Sequence, residues 1–114
     1  MIISRGDAAR VTNLSPHDAA AMVQRGEAVL VDVREADEID RERIDGADAA
    51  PLSSFDPSSI RARHAGVIPI FQCRVGQRSI AAALAYGHEG EDLYHLAGGI
   101  EAWKHAGLTV VGRR

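Results

Sequence analysis

Residues 67–86 carry the sequence VIPIFQCRVGQRSIAAALAY. The apolar run at 67–71 predicts a strand that is covered on both faces. Pro69 conflicts with this interpretation because proline cannot donate to a ladder, so either it lies at a gap in the ladder or the strand is less central. The segment 79–86 is almost entirely apolar and predicts a helix that is buried nearly all round. A strand, a tight loop containing Cys73 and a helix form one strand–helix unit of an α/β fold.

Strand and helix patterns of the same kind alternate along the rest of the chain. The other predicted elements are a helix that Ser15 caps and Gly26 ends, an apolar strand at 28–31, a charged helix at 35–41, a weak strand near 47–50, a helix opened by Asp56 and Pro57, a strand at 92–96 and a helix at 99–106 that Gly107 closes. This order predicts the fold class, α/β, with a small, mostly parallel β-sheet flanked by helices on both faces.

Length and composition limit the class of protein. The 114 residues fit a single domain at 1–114, and a formal net charge of -3 without a basic stripe argues against a nucleic-acid partner. No apolar run approaches the roughly 20 residues that span a bilayer, and the amino terminus lacks the apolar core of a signal peptide. We therefore expect a cytoplasmic protein with no membrane partner.

The chain has one cysteine, Cys73, which excludes an intrachain disulfide and a multi-cysteine zinc site. The histidines show no pairing at the spacing of metal ligands, and His88 and His95 are expected in loops or at the surface. Neither a metal nor a cofactor is therefore expected. A lone cysteine is either a small buried hydrophobic residue or a nucleophile, and its neighbours decide between the two.

The loop around Cys73 has the composition of an anion cradle. A strand, a glycine-containing loop and a helix start turn successive backbone N–H groups inward, and the helix start adds partial positive charge. Gly76 supplies a position where a positive φ has no steric cost, and Arg74 and Arg78 add two permanent cations. A thiol in this setting titrates below its free pKa of about 8.5, so Cys73 is predicted to be a thiolate. Asp32 ends the other apolar strand and should lie at the same edge of the sheet.

Five stretches of the sequence stand out together: LSP at 14–16, LVDVRE at 30–35, the stretch from 46 to 52, Cys-x-x-Gly-x-Arg-Ser at 73–79 and LAGGIEAW at 96–103. In this order they resemble the rhodanese family, and the stretch at 73–79 is similar to the active loop of rhodanese domains. The resemblance covers the chain from about 13 to 111, which it implies is the core of the domain.

The resemblance implies sulfurtransferase chemistry. In rhodanese domains a cysteine thiolate attacks the outer sulfur of a donor such as thiosulfate, sulfite leaves, and an acceptor such as cyanide or a thiol removes the sulfur from the resulting persulfide. Carried onto this chain, Cys73 is the catalytic nucleophile. The implied substrate-binding residues are Arg74, Val75, Gly76, Gln77, Arg78, Ser79 and Arg34, with Asp32 as a supporting partner for an arginine.

The implied partners are a small anionic sulfur donor and a thiol or cyanide acceptor, with a protein donor or acceptor as the alternative. Arg43 stands where many family members have a histidine, so the role of that position is open. A non-enzymatic or partner-dedicated sulfur relay is an alternative function. A cysteine-dependent phosphatase or arsenate reductase is disfavoured, because only four residues separate Cys73 from Arg78 and the phosphatase loop is longer.

The remaining features have structural explanations. Trp103 is expected in the core, and Gly98 and Gly99 are expected to turn the chain into the last helix. The acidic side chains of the charged helix are expected to form a solvated face rather than a catalytic acid pair; they are Glu35, Asp37 and Glu38.

Overall fold

The structure is a computed structural model that describes residues 2–4, 10–88 and 90–112. Residue 1 and residues 5–9, 89, 113 and 114 lie outside the described part, so the expectation about the amino terminus is only partly covered. Within the described residues, no helix is long and apolar enough to cross a bilayer.

A six-stranded sheet forms the centre of the molecule. Its strands are β1 (Ile2–Ser4), β2 (Arg10–Leu14), β3 (Ala28–Asp32), β5 (Asp48–Ala49), β6 (Ile68–Gln72) and β7 (Asp92–Leu96). They lie in the order β1-β2-β7-β6-β3-β5, and neighbouring strands are parallel except for the edge strand β1, which is antiparallel to β2. A separate antiparallel pair joins β4 (Glu42–Arg43) and β8 (Val111–Gly112).

Helices cover both faces of this sheet, which confirms the predicted fold class. They are α1 (Pro16–Gln24), α2 (Ala36–Arg41), α3 (Pro57–Arg63), α4 (Gln77–Tyr86) and α5 (Gly99–His105), with a short 3-10 helix at Leu52–Ser54. One core cluster packs Ile60 of α3 and Tyr86 of α4 against Phe71 of β6. The other packs Ala19 of α1 and Trp103 of α5 against the opposite face, so Trp103 is a core residue as predicted.

Local sequence explains where the helices begin. The Ser15 side chain accepts a hydrogen bond from the Asp18 N–H at the start of α1, and the Asp56 side chain does the same for Ser58 and Ser59 at the start of α3. Each of these helices has proline in its first turn, where no N–H is needed. The predicted starts of both helices are therefore confirmed.

Pro69 lies in a central strand, since β6 has β7 on one side and β3 on the other. The Ile68 N–H donates to the Glu27 carbonyl on the β3 side. Because successive residues of a strand direct their N–H groups to alternate neighbours, the Pro69 nitrogen faces β7. Pairing with β7 begins only at Ile70, so Pro69 replaces no ladder donor and lies at a gap in the ladder.

The prediction that the helix after the cysteine loop is buried nearly all round is wrong. One face of α4 is buried through Ser79, Ala82, Ala83 and Tyr86. Ala81 and Ala85 are exposed on the opposite face. Alanine exposes little apolar area, so a helix rich in alanine does not need cover on every side.

Candidate active site

Cys73 lies directly after β6, at the carboxyl ends of the parallel strands. The neighbouring strand β3 ends at Asp32, whose Cα is in register with that of Gln72. The α4 helix begins four residues after the cysteine, at Gln77. Strand, loop and helix therefore place Cys73 at the sheet edge where ligands of α/β folds bind.

Backbone amides surround the Cys73 sulfur, as the sequence predicts. The Gly76 N–H donates to Sγ at 3.1 Å, the Ser79 N–H at 3.4 Å, and the Ser79 hydroxyl oxygen lies 3.5 Å from Sγ. Gly76 has a φ of 112°, a conformation that L side chains rarely adopt, and this turn directs its N–H at the sulfur. Cys73 itself is only 1% exposed, so the sulfur lies inside the loop rather than on it.

The surroundings of Cys73 change its acidity in two opposing ways. Burial raises the pKa of the thiol, because a thiolate loses solvation inside the protein. Hydrogen bonds from the Ser79 hydroxyl and from the amides of Ser79, Gly76 and Val75 favour the thiolate and outweigh burial. The pKa of Cys73 is therefore lower than that of a free cysteine, which increases its thiolate fraction and so its reactivity.

The amino end of α5 binds the backbone of the cysteine loop through hydrogen bonds. The Ile100 N–H donates to the Cys73 carbonyl at 2.9 Å, and the Glu101 N–H donates to the Arg74 carbonyl at 3.2 Å. A Cβ on Gly99 would lie 2.3 Å from the Cys73 carbonyl oxygen, so only glycine allows this approach. The sequence predicts that Gly98 and Gly99 turn the chain into α5, and Gly99 also allows the helix to lie against the cysteine loop.

Arg34 and Asp32 form a buried ion pair beside the loop. Their side chains are 5% and 1% exposed, and Arg34 Nη2 donates to Asp32 Oδ2 at 2.8 Å and to the Glu42 carbonyl at 2.7 Å. Arg34 also lines a cavity of about 230 Å³ together with Arg74 and Ile100. Asp32 thus orients an arginine that borders the space next to the cysteine loop.

Arg78 is held by Glu38, a partner that sequence reasoning did not identify. Its two terminal nitrogens donate to the two Glu38 carboxylate oxygens at 2.7 and 2.9 Å. The expected solvated acidic face of α2 is therefore wrong for Glu38, whose side chain is 23% exposed. Glu35 is not simply solvated either, because its carboxylate accepts a hydrogen bond from the Ser53 hydroxyl. Asp37 is solvated as expected, with its side chain 76% exposed.

Arg74 is the more open cation of the loop. Its side chain is 66% exposed, and its nearest carboxylate, on Glu101, lies 3.8 Å away. Val75 and Gln77 are also exposed on the outer side of the loop. The loop therefore directs its amides inward at the sulfur and exposes the side chains of Arg74, Val75 and Gln77.

His95 lies in the core next to the loop, so its expected place at the surface is wrong. It is 3% exposed on β7, and its Nδ1 lies 3.0 Å from the Ser79 hydroxyl oxygen. Arg43, by contrast, is exposed on β4, pairs in register with Val111 and is not among the residues lining the 230 Å³ cavity. Among the described residues, no group of His, Cys, Asp and Glu side chains is placed to hold a metal ion.

The Glu38–Arg78 pair predicts a change of stability with pH. The Arg78 guanidinium holds the pKa of Glu38 at about 2, below its usual 4.5. Since the folded state binds this proton more weakly, the pair stabilises the protein above pH 4.5 and loses its effect as the pH falls through about 2. Glu38→Gln should lower the free energy of unfolding at neutral pH by about 1 kcal/mol and less in acid, measured by urea denaturation.

The matched control for this variant is Asp37→Asn, on the same helix, whose side chain is 76% exposed. It should change the free energy of unfolding little at any pH. A difference between wild type and Glu38→Gln that stays constant down to the acid limit would contradict the assigned ion pair.

Fold and site together define a class of protein: an α/β domain that holds a cysteine of lowered pKa in a cradle of backbone amides. A family model described as the Rhodanese-like domain matches residues 15–106. This chain therefore belongs to the rhodanese-like family, a family of sulfurtransferases.

Individual relatives agree with this assignment. The chain is 34% identical over 102 residues to the thiosulfate sulfurtransferase GlpE of Actinobacillus succinogenes, covering 87% of this chain and 89% of that protein. It is 35% identical over 99 residues to an uncharacterised protein of Synechocystis, covering 86% of this chain but only 55% of that protein's length. The crystal structure of a thiosulfate sulfurtransferase from Pseudomonas aeruginosa superimposes with a TM-score of 0.76 at 22% identity, over 91% of this chain and 21% of that one, and supports the fold.

Proposed function

We propose that this protein is an enzyme that moves a sulfane sulfur from thiosulfate, or another persulfide donor, to cyanide or a thiol through a persulfide on Cys73. The observation that carries this proposal is the cradle of N–H groups from Gly76 and Ser79 around the Cys73 sulfur. These donors stabilise an anionic sulfur.

The reaction balances without a cofactor. The Cys73 thiolate attacks the outer sulfur of thiosulfate, a new S–S bond forms, and the old S–S bond breaks with its electron pair leaving on sulfite. The negative charge then lies on the terminal sulfur of the persulfide, and the N–H groups of the loop donate hydrogen bonds to it. Cyanide or a thiolate attacks that terminal sulfur, and the Cys73 thiolate leaves.

The other site residues have supporting roles in this proposal. Arg74 attracts the anionic donor at the open side of the loop, and Arg34 forms one wall of the adjoining cavity while Asp32 keeps it in place. Val75 and Gln77 contribute to the outer side of the loop. Arg78 contributes less to binding the anionic donor than its sequence position suggests, since its guanidinium forms an ion pair with Glu38.

The same geometry disfavours a phosphatase. A phosphoryl group needs a wide loop and a free arginine. Here the loop is short, and both terminal nitrogens of Arg78 donate to the Glu38 carboxylate. A sulfur relay dedicated to one protein partner is the alternative function, and a donor assay separates it from the enzyme.

We also propose that the chain acts as one domain with its core at about 13–111, in the cytoplasm, where its lone thiol stays reduced.

The proposal is tested by thiocyanate production from thiosulfate and cyanide. The Arg74→Ala variant should raise the KM for thiosulfate about 5-fold with little change in kcat, because an exposed cation attracts the anion before and during the reaction alike. Arg25→Ala is the control, since Arg25 is similarly exposed at the end of α1 and pairs with Glu27, away from the cysteine loop. An unchanged KM in Arg74→Ala would remove Arg74 from donor binding, and no turnover in the wild type would favour the relay.

A further inference from the structure

A chain of hydrogen bonds leads from the Cys73 sulfur into the core. The Ser79 hydroxyl oxygen lies 3.5 Å from Cys73 Sγ and 3.0 Å from His95 Nδ1. The other ring nitrogen of His95, Nε2, bonds to Asn13 Oδ1 on the neighbouring strand β2. Cys73, Ser79 and His95 are 1%, 0% and 3% exposed, so water does not compete for these groups.

Asn13 determines which nitrogen of His95 carries the proton in the neutral ring. An amide oxygen only accepts hydrogen bonds, so Nε2 must donate to it and Nδ1 must be an acceptor. The Ser79 hydroxyl then donates to Nδ1, and its oxygen accepts the S–H of Cys73. In the thiol state every member of the chain therefore has its partner.

Ionisation of Cys73 breaks this arrangement if His95 stays neutral. Ser79 has a single hydroxyl hydrogen and cannot donate to the thiolate and to Nδ1 at the same time. Either Nδ1 loses its donor, or the thiolate faces the Ser79 oxygen without a hydrogen between them and keeps only the Gly76 and Ser79 N–H groups. Both outcomes are costly inside a protein. If the proton instead reaches His95, Nδ1–H donates to the Ser79 oxygen and the Ser79 hydroxyl donates to the thiolate. Every member is again satisfied.

We propose that Cys73 passes its proton through Ser79 to His95 when it ionises, so that the nucleophile is half of a thiolate–imidazolium pair bridged by a serine hydroxyl. One hydrogen moves from Sγ to Oγ and another from Oγ to Nδ1, while the S–H electron pair stays on sulfur. No oxidant or reductant is needed. The inference deepens the proposed function, because it assigns the origin of the nucleophile in that reaction, and it makes His95 a positioning residue.

The surroundings of His95 make its charge depend on Cys73. Burial lowers the pKa of His95, so an isolated imidazolium is unfavourable there. Its described hydrogen-bond partners, Ser79 on α4 and Asn13 on β2, carry no charge. On the adjacent strand β6, Phe71 is in register with it. The Arg78 guanidinium interacts electrostatically with Cys73 across the loop and is itself paired with Glu38.

The direct test is the ¹⁵N spectrum of the His95 imidazole in the full chain, followed with pH in the wild type and in Cys73→Ser. A serine hydroxyl does not ionise in this range, so the variant removes the counterion but keeps a hydrogen-bonding group. The pH at which His95 loses its charge should fall by about one unit or more in Cys73→Ser. The same midpoint in both proteins would overturn the proposal, because a purely structural histidine does not sense the thiolate.

A second measurement follows the thiolate itself, through the rate of Cys73 alkylation by iodoacetamide against pH. Asparagine at position 95 can keep hydrogen bonds to its neighbours but accepts no proton. His95→Asn should therefore slow alkylation at neutral pH about 10-fold and move its midpoint up by about one unit. His105→Asn, at an exposed position of α5, is the matched control and should leave the profile unchanged.

An unchanged alkylation profile in folded His95→Asn would contradict the relay. If that variant does not fold, the His95 midpoint in the wild type and in Cys73→Ser still shows whether His95 responds to the thiolate. Both measurements follow protonation and not turnover. A protein that shows the coupled titration but takes no sulfur from thiosulfate would retain this inference and lose the proposed function.

Discussion

Replacing Cys73 by serine is expected to abolish sulfur transfer from thiosulfate to cyanide while leaving the fold intact. A hydroxyl is a far poorer nucleophile than a thiolate at neutral pH and forms no persulfide. The serine oxygen can still accept the N–H groups of Gly76 and Ser79, so the loop keeps its inward amides satisfied. Thiocyanate production and urea denaturation of the same preparation measure the two expectations together.

Wild-type protein alkylated at Cys73 is the control for this variant, because it loses the nucleophile without a change of sequence. It should lose turnover to the same extent. Turnover retained by folded Cys73→Ser would mean that another group carries the sulfur, and the proposed mechanism would be wrong.

Gly99→Ala is expected to have the largest effect on stability. Its Cβ would lie 2.3 Å from the Cys73 carbonyl oxygen and 2.5 Å from the carbonyl carbon and oxygen of Arg74, all backbone atoms that cannot move aside alone. Gly99 also has a φ of +62°, which strains an L residue. The variant should lose about 3 kcal/mol in the free energy of unfolding and most of its sulfur transfer, since the active loop is displaced.

Gly107→Ala separates the two causes. Gly107 has a similar φ of +82°, but nothing lies within 4 Å of its added Cβ. That variant should lose only about 1 kcal/mol, measured by urea denaturation, and keep its turnover. Equal losses in both variants would mean that backbone strain alone matters and that the approach of α5 to the cysteine loop does not constrain Gly99.

The parts of the fold that the sequence predicts are those with a strong local pattern. Continuous apolar runs locate β3 and β6, and caps by Ser15 and Asp56 locate α1 and α3. Sequence analysis did not predict β2, because residues 10–14 contain only two large apolar side chains. The strand is defined by pairing with β7, about 80 positions further along the chain, which no local pattern encodes. The short strands β4 and β8 are likewise defined by their pairing with each other.

The candidate site divides in the same way. The Cys73 loop and its amide cradle follow from a strand, a glycine and a helix start within a few residues. The partners of that loop come from distant elements: Glu38 binds Arg78 from α2, and His95 reaches Ser79 from β7. A charged helix face and an isolated histidine each have many equally plausible partners in a sequence, so only the packed fold selects among them.

These distant partners change the interpretation of the charge around the sulfur. Sequence alone suggests two free arginines beside Cys73, but Glu38 binds Arg78 and only Arg74 stays open. The Gly76 and Ser79 amides, at the start of α4, therefore stabilise an anionic sulfur where the sequence suggests that Arg78 would. Substitution of a single arginine is accordingly expected to have a smaller effect than displacement of the loop.

Formation of a persulfide on Cys73 can be measured as the intact mass of the reduced protein before and after incubation with thiosulfate. We expect a gain of one sulfur atom in the wild type, released by cyanide, and no gain in Cys73→Ser. A wild-type protein whose mass does not change with thiosulfate would contradict the proposal that Cys73 accepts sulfur from this donor.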